Sequence, residues 1–262
     1  MSKLPALESD VPLVDPHANV VRLTAVAVAL GFLVFSFFTS ANVLASVDST
    51  WTYSPIAMNY SNFSNLSSGS TKIGGTGSDI WWNSDSFGFL NKQIGSDFEL
   101  TVKVESLTNT DPWSKAGLMI RKSRDPKSEH LFIFTTPATN GINVQGRQTF
   151  GGNSYQYKNI NVSIFPKWFK IKKEGNTYRL FYSTNGTTFT DAYSRSQDLG
   201  SNPYVGVAYT SHSTTLGSAT INNLTLTAAS SAAVPPGAKG LPCGIYGDVN
   251  QNGYIDANDA FL

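Results

Sequence analysis

The sequence carries little charge and contains only one cysteine among its 262 residues. A single cysteine excludes an intramolecular disulfide framework and any zinc site built from cysteines. Charged residues make up 14% of the chain, and 19 lysine and arginine residues balance 18 aspartate and glutamate residues. Without a clustered basic excess, the sequence offers no electrostatic basis for binding nucleic acid.

Small polar and aromatic residues are abundant instead. The chain contains 22 glycines, 12% aromatic residues and many serines, threonines and asparagines. This composition is typical of an extracellular β-rich protein rather than of a helical enzyme of the cytosol. The length allows one or two domains.

One long uncharged apolar run is present, and it covers residues 23–38 near the N-terminus. It is shorter than the ~20 residues that a membrane-spanning helix needs and has the length of a signal-peptide core. Arg22 precedes it, and small residues follow, which predicts cleavage after Ala45 or, as an alternative, after Ala41. An uncleaved membrane anchor is the other interpretation. Both place the remainder of the chain outside the cytoplasm, as a secreted or surface-anchored protein.

The middle of the chain alternates between apolar and polar residues with a period of two. The pattern is clear in residues 98–105, 169–172 and 178–182, and it predicts strands with one buried face. Asn185 and Gly186 form a dipeptide that favours a two-residue type I′ hairpin turn. Many short strands separated by glycine, asparagine, serine and proline predict an all-β fold with two packed sheets.

Two long segments carry a family resemblance. GSDIWWNSDSFGFL (residues 77–90) is followed by GSDFELTVKVESLTNTDPWSKAGLMIRKS (residues 95–123), and three further phrases follow in order at residues 129–147, 168–189 and 204–212. Together they resemble a secreted bacterial module of the concanavalin A-like, laminin-G-like superfamily. The resemblance implies a jelly-roll β-sandwich that is usually attached to exported or carbohydrate-active proteins. It implies no single activity.

No catalytic residues are predicted in this region. The Glu-x-Asp-x-x-Glu pattern of glucanases that share the fold is absent from the sequence. Glu99 and Glu105 lie on one predicted strand with Lys103 between them, which indicates a solvated face rather than a pair of carboxylates across a cleft. His130 and His212 have no nucleophile motif nearby and are interpreted as ordinary surface or loop histidines.

Aromatic residues make carbohydrate binding the more promising chemistry. Sugar rings stack on aromatic side chains, while their hydroxyls pair with polar side chains. The candidate ligand-binding residues are Trp81, Trp82, Tyr155 and Tyr157, and strand alternation exposes at most one of the two tryptophans. Trp113 lies in the resembling segment and is interpreted as a packing residue.

The C-terminus carries a calcium-loop pattern. Counted from Asp248, oxygen-bearing groups fall at positions 1, 3, 5, 7, 9 and 12, and Gly253 at position 6 permits the sharp bend. The predicted Ca²⁺ ligands are Asp248, Asn250, Asn252, Tyr254 through its carbonyl, Asp256 and Asp259. With Asp at position 12 and no preceding helix, the loop resembles a type I dockerin repeat. That resemblance implies a cohesin domain of a scaffold or surface protein as the partner.

The dockerin pattern is incomplete, since the chain stops at Leu262 without a second loop. We expect either a truncated fragment or a degenerate terminal tag, with Ca²⁺ affinity at or beyond the weak end of ~10⁻⁴–10⁻³ M seen in extracellular modules. The sequence therefore predicts four parts: a signal peptide or anchor (1–45), a concanavalin A-like sandwich (46–227), a linker rich in proline, alanine and glycine (228–246), and a partial dockerin repeat (247–262).

These parts predict an exported, non-catalytic module that is associated with carbohydrate and docked through calcium to a cohesin-bearing assembly. A polysaccharide ligand is expected for the sandwich, and contact with a membrane is expected only through an uncleaved N-terminal segment. Two alternatives stay open. The first is a polysaccharide hydrolase or lyase with a carboxylate site that the motifs do not reveal, and the second is a structural or adhesion protein of the cell surface.

Overall fold

The computed structural model describes residues 47–137, 139–162, 165 and 167–229. Within these residues every regular element is a β-strand, so none of them forms a helix that could span a membrane. The strands are β1 (Thr52–Ile56), β2 (Ser61–Asn65), β3 (Thr71–Gly77), β4 (Ile80–Trp81), β5 (Ser84–Asp85), β6 (Phe87–Gln93), β7 (Phe98–Leu107), β8 (Lys115–Arg121), β9 (His130–Thr135), β10 (Ile142–Arg147), β11 (Ser154–Ile160), β12 (Lys167–Glu174), β13 (Thr177–Ser183), β14 (Thr190–Ser196), β15 (Tyr204–Thr210) and β16 (Ser213–Ala228).

The strands form two large antiparallel sheets and one short hairpin. The first sheet has the order β1-β6-β15-β8-β9-β10-β11, and the second has the order β14-β13-β12-β7-β16-β3-β2. Strands β4 and β5 pair only with each other. The prediction of an all-β protein with two packed sheets is therefore confirmed for the described residues.

The core between the sheets follows from the alternating pattern in the sequence. On β7, Leu100 and Val102 are buried and their neighbours are partly exposed. They lie opposite Ile171 and Phe169 of β12, which are also fully buried. One face of the second sheet therefore packs inward, and the other carries lysines and glutamates into solvent, as the period of two predicted.

The first sheet is different because its central strands are buried on both faces. Every residue of β8, β9 and β10 is buried. One set of side chains, which includes Leu118 and Ile133, enters the core between the sheets. The opposite set forms a second apolar cluster that includes Phe132 and Phe134, with Ile80 of the β4–β5 hairpin packed among them. The hairpin therefore covers part of the sheet face that would otherwise be open, which we call the outer face.

One turn differs from the sequence prediction. Asn185 and Gly186 do not form a two-residue type I′ turn, because residues 184–189 all lie between β13 and β14. The Asn185 side-chain oxygen accepts the backbone N–H groups of Thr187 and Thr188, each at 2.9 Å, and this side-chain bonding stabilises a longer loop. The two-residue turn lies instead between β12 and β13, where Gly175 has a φ of 57°.

The predicted N-terminal segment (1–45), nearly all of the predicted linker and the predicted calcium ligands from Asp248 to Asp259 lie outside the described residues. These predictions remain predictions.

Candidate functional site

A buried carboxylate holds the β4–β5 hairpin on the outer face of the first sheet. Asp85, on β5, accepts from both terminal nitrogens of Arg147, at 2.6 Å and 2.8 Å, and from Arg121 Nη1 at 3.1 Å. All three side chains are fully excluded from solvent. A bidentate arginine–carboxylate pair in such surroundings is strong and geometrically specific, so the hairpin is fixed against β8 and β10.

Arg147 also fixes the backbone of the two adjacent tryptophans. Its Nη2 donates to the carbonyl oxygens of Trp81, at 3.1 Å, and Trp82, at 2.9 Å. The Trp82 carbonyl accepts in addition from the backbone N–H of Ser154 on β11, at 2.8 Å. The chain segment that carries the tryptophans is therefore tied to two strands of the first sheet, and both indole rings are presented at its outer face.

His130 belongs to the same buried cluster. The interpretation of His130 as a surface or loop histidine is wrong, because it lies on β9 with no solvent exposure and its Nδ1 is 3.7 Å from Asp85. Burial lowers its pKa to about 3; the attraction of Asp85 only partly opposes this, and the repulsion of Arg121 and Arg147 adds to it. The histidine is therefore neutral at neutral pH, and the cluster holds two cations and one anion.

A cavity of about 340 Å³ lies beside the hairpin on the outer face. Its volume is within the range of small-molecule sites. Three tryptophans meet there, from the hairpin and from the β7–β8 loop, together with amide, charged and aromatic side chains of four strands, of the β3–β4 connection and of the β15–β16 turn. The lining residues are Asp79, Trp81, Trp82, Trp113, Lys115, Phe134, Gln145, Gln156 and His212.

The floor of this cavity is a satisfied polar network. The Lys115 ammonium group contacts Asp79 Oδ1 at 2.6 Å and donates to the Ile80 carbonyl at 3.1 Å. It lies 5.5 Å from the centroid of the Trp81 ring. Burial lowers the pKa of Lys115 below its ordinary value, and the ion pair with Asp79 offsets part of that shift. Gln145 also donates to the Ile80 carbonyl, so the base of the hairpin is held from two strands.

The wall of the cavity is a histidine between two carboxylates. His212 Nε2 is 3.3 Å from Asp79 Oδ2, and His212 Nδ1 is 3.0 Å from Asp111 Oδ1. Asp111 Oδ1 also accepts the backbone N–H of Trp113 at 2.7 Å, which orders the loop that presents this tryptophan. The histidine therefore links the β15–β16 turn to the hairpin segment and to the β7–β8 loop.

Backbone strain is concentrated at the same place. Trp82 has a φ of 40° and His212 a φ of 51°, which is the left-handed region that side chains other than glycine and asparagine rarely adopt. Such conformations cost of order 1–3 kcal/mol each and persist where the surrounding structure fixes them, often at functional sites. Here the fixing contacts are the bonds from Arg147 and Ser154 to Trp82 and the contacts of His212 with the two carboxylates.

The structure brings Trp81 and Trp82 into one cavity and leaves the two candidate tyrosines outside it. Trp82 is 67% exposed and Trp81 is partly buried, in line with the expectation that only one of them is free. Tyr155 is exposed on β11 but does not line the cavity. Tyr157 packs against the core between the sheets and stacks on Tyr193, with ring centroids 5.0 Å apart.

Trp113 is a lining residue rather than only a packing residue, since it is 38% exposed at the cavity. Sequence reasoning missed Asp79, Lys115, Gln145 and His212, because they come from separate elements and have no local motif. Trp113 could have been found from its position in an exposed Asp-Pro-Trp turn.

The glutamates of β7 lie on the other sheet. Glu99 pairs with Lys170 at 3.2 Å and Glu105 with Lys103 at 2.7 Å, on partly exposed side chains. The interpretation of these residues as a solvated face is confirmed. Within the described part of the chain there is also no cluster of three or more metal-ligating side chains.

Comparison with known proteins supports the fold and leaves the function open. No family profile and no curated protein matches the chain. Among solved structures, a functionally unknown protein from Saccharomyces cerevisiae superposes with a TM-score of 0.52 at 17% identity, over 69% of this chain and 97% of that chain. The GH43 protein BlXynB from Bacillus licheniformis gives 0.56 at 12% identity, over 70% of this chain and 37% of that chain.

A third structure, the carbohydrate-binding module CBM66 from Bacillus subtilis, gives a TM-score of 0.50 at 11% identity, over 70% of this chain and 99% of that chain. This chain therefore spans nearly the whole of two of these structures and just over a third of BlXynB. The likeness at such low identity concerns the fold alone. The described residues share with these structures a β-sandwich of two large antiparallel sheets.

The buried cluster predicts a large stability effect at Asp85. Asp85→Ala leaves two buried arginines without their anion, so we expect a loss of about 3–5 kcal/mol in the free energy of unfolding. Urea denaturation measures it. The control is Asp191→Ala, which breaks the Arg179–Asp191 pair at 2.7 Å on a surface where both side chains are 44% exposed; it is expected to leave the free energy of unfolding nearly unchanged. Equal losses in the two variants would contradict the assigned role of Asp85.

The neutral state of His130 predicts an acid dependence of stability. The unfolded chain binds a proton at this histidine below its ordinary pKa of 6.5, whereas the folded protein does so only near its folded pKa of about 3. The contribution of His130 to the free energy of unfolding is therefore fully present above pH 6.5. It is lost as the pH falls toward 3, with a limiting slope of about 1.4 kcal/mol per pH unit. Urea denaturation at several pH values is expected to show a shallower slope for His130→Gln than for the wild type. Parallel curves would show that the histidine is protonated in the fold.

Proposed function

We propose that this protein is an exported, non-catalytic carbohydrate-binding protein, and that its β-sandwich binds glycan at the cavity formed by Trp81, Trp82 and Trp113. The observation that carries the proposal is the meeting of three tryptophans with amide and charged side chains in one cavity. Flat aromatic faces bind the C–H faces of sugar rings, and the adjacent polar groups bind the hydroxyls.

The polar groups around the tryptophans match the needs of a sugar. Gln156 is exposed at the cavity and supplies both donors and acceptors, and Asp79 supplies carboxylate oxygens held in place by Lys115. The tryptophans are held by the buried cluster and strained at Trp82, so the site exists before a ligand arrives. Preorganisation of this kind lowers the entropy cost of binding.

The structural neighbours support the same class of ligand. One neighbour is a carbohydrate-binding module, and another is a GH43 protein. Both share the sandwich with this chain, so an association with carbohydrate is the function class that these neighbours favour. Transfer of that class to this chain is part of our proposal.

A polysaccharide-degrading enzyme is the second candidate, and one observation favours it. Asp79 and Asp111 flank His212 at the cavity wall, and glycoside hydrolysis uses two carboxylates. In a hydrolase, however, the two carboxylates face each other across the scissile bond, whereas here a histidine side chain fills the space between them. Asp79 is moreover engaged by Lys115. These contacts make binding the better supported proposal.

The remainder of the proposal comes from the sequence alone. The apolar run at residues 23–38 supports export, and the loop from Asp248 to Asp259 supports calcium-dependent docking to a cohesin domain. In this scheme the sandwich holds a glycan while the C-terminal segment attaches the protein to a larger assembly. A structural or adhesion role without glycan binding is the outcome that the next experiment separates from this one.

Removal of a tryptophan tests the binding site directly. A polysaccharide panel first identifies the glycans that bind the wild type, and Trp82→Ala and Trp113→Ala are each expected to weaken binding roughly twofold to tenfold through the loss of a stacking surface. Phe150→Ala is the control, because Phe150 is 59% exposed and lies outside the cavity. Isothermal titration calorimetry measures the affinities.

If the wild type binds no polysaccharide in the panel, the glycan proposal is overturned and a structural protein is favoured. Release of reducing sugar from any member of the panel would instead support the enzyme.

Calcium binding tests the C-terminal proposal separately. The chain is expected to bind Ca²⁺ with a dissociation constant at or above ~10⁻⁴ M, because a loop with only three carboxylates is a weak site. Titration calorimetry of the wild type and of the double variant Asp248→Ala, Asp256→Ala measures it. An identical heat of Ca²⁺ binding in the two proteins would contradict the assignment of the loop.

A further inference from the structure

A second and larger cavity lies next to the tryptophan cavity. It has a volume of about 690 Å³, and His212 lines both cavities. The two also meet along the chain, since Ser78 lines the larger cavity and its neighbour Asp79 lines the smaller one. The cavities are therefore adjacent, with His212 at their junction, and we refer to the pair as the depression.

The larger cavity has the chemistry of a site for hydroxyl-rich ligands. Most of its lining side chains carry a hydroxyl or an amide, and one of them, Tyr60, is an aromatic residue that is 50% exposed. The side chains of this kind include Asn59, Tyr60, Thr76, Ser78, Ser84 and Ser86. A tyrosine ring offers a second stacking surface for a sugar, and hydroxyl and amide groups both donate and accept hydrogen bonds.

The charged side chains and the histidine that line the two cavities are all paired, His212 with two carboxylates. In the larger one, the lining carboxylate is that of Asp85, whose oxygens accept from Arg121 and Arg147 in the buried cluster. In the smaller one, Asp79 and Lys115 form an ion pair. A uronate, sulfate or phosphate group entering this depression would find no unpaired cation among the lining residues, so a neutral ligand is favoured over an acidic one.

The strained residues also mark both cavities. Four non-glycine residues in the described part of the chain have a positive φ, and three of them line this depression: Ala57 in the larger cavity, Trp82 in the smaller, and His212 in both. Strain of this kind is retained where a fixed surface is needed. Strained residues therefore occur in both cavities and not only at the tryptophans.

We propose that the two cavities form one groove for a neutral glycan chain, with a sugar unit stacked on the tryptophans and the chain continuing past His212 to Tyr60. The ligand is then an oligosaccharide segment of at least two units rather than a single terminal sugar. This inference rests on the proposed function, since it assigns the ligand class of the same site.

The length of the oligosaccharide is varied to test the groove. The full-length protein is titrated calorimetrically with neutral ladders from monosaccharide to tetrasaccharide, prepared from xylan, cellulose and fructan, and with oligogalacturonides as the acidic probe. Affinity for the ladder that binds is expected to rise roughly tenfold or more between monosaccharide and tetrasaccharide, because additional units gain hydrogen bonds and a second stacking surface. Oligogalacturonides are expected to bind at least tenfold more weakly.

Two variants test whether the increase in affinity with oligosaccharide length arises at the larger cavity. Tyr60→Ala removes its aromatic surface, and Ser78→Trp fills it from an exposed position at the junction. Each is expected to reduce the gain with chain length by roughly threefold to tenfold. Leu216→Ala is the control, because Leu216 is similarly exposed, at 55%, and lies outside both cavities.

The outcomes separate the groove from the glycan site itself. If a monosaccharide binds as tightly as its tetrasaccharide, or if both variants retain the full gain, the groove is wrong and a single-sugar site at the tryptophans stands. Stronger binding of the oligogalacturonides overturns the neutral ligand class. If the wild type binds none of the ladders, the proposed function falls, and the groove falls with it.

Discussion

The bidentate contact between Asp85 and Arg147 is the interaction on which the rest of the site depends. An aspartate with no solvent exposure is costly unless its charge is fully compensated, and here two buried arginines provide that compensation. Because Asp85 belongs to a hairpin that pairs with neither sheet, the ion pair substitutes for the backbone ladder that holds the other strands. The same Arg147 also donates to the carbonyl groups of the two tryptophans. One side chain therefore both holds the hairpin on the sheet and fixes the backbone that carries the aromatic surface.

Because the hairpin covers only part of the outer face, cavities remain beside it. The hairpin packs on the phenylalanines of β6 and β9. Next to it, the tryptophans, Lys115 and the glutamines surround the smaller cavity, and hydroxyl groups and Tyr60 surround the adjacent larger one. His212 joins the two through contacts with Asp79 and Asp111. A rigid scaffold with strain stored at its loops is the usual basis of a preformed binding site.

The sequence predicted the second sheet better than the first for a physical reason. Strands with one solvated face, such as β7 and β12, keep the alternation that a period of two detects. The strands β8 to β10 are buried on both faces, so their alternation is lost and a buried arginine or histidine looks like a surface residue. Trp81 and Trp82 could be proposed because adjacent tryptophans are conspicuous in a polar segment. Lys115 and His212 could not, because only the strand order brings residues so far apart in the chain into contact.

In our proposal, glycan binds to the outer face of the first sheet, at its three tryptophans. The chain has five tryptophans, and each indole N–H gives a separate signal in a spectrum of the ¹⁵N-labelled protein. Titration with the neutral tetrasaccharides is expected to shift the indole signals of Trp81, Trp82 and Trp113. Those of Trp51 and Trp168, which lie outside both cavities, are expected to stay in place. Shifts confined to Trp51 or Trp168, or no shift at saturating glycan, would contradict the account.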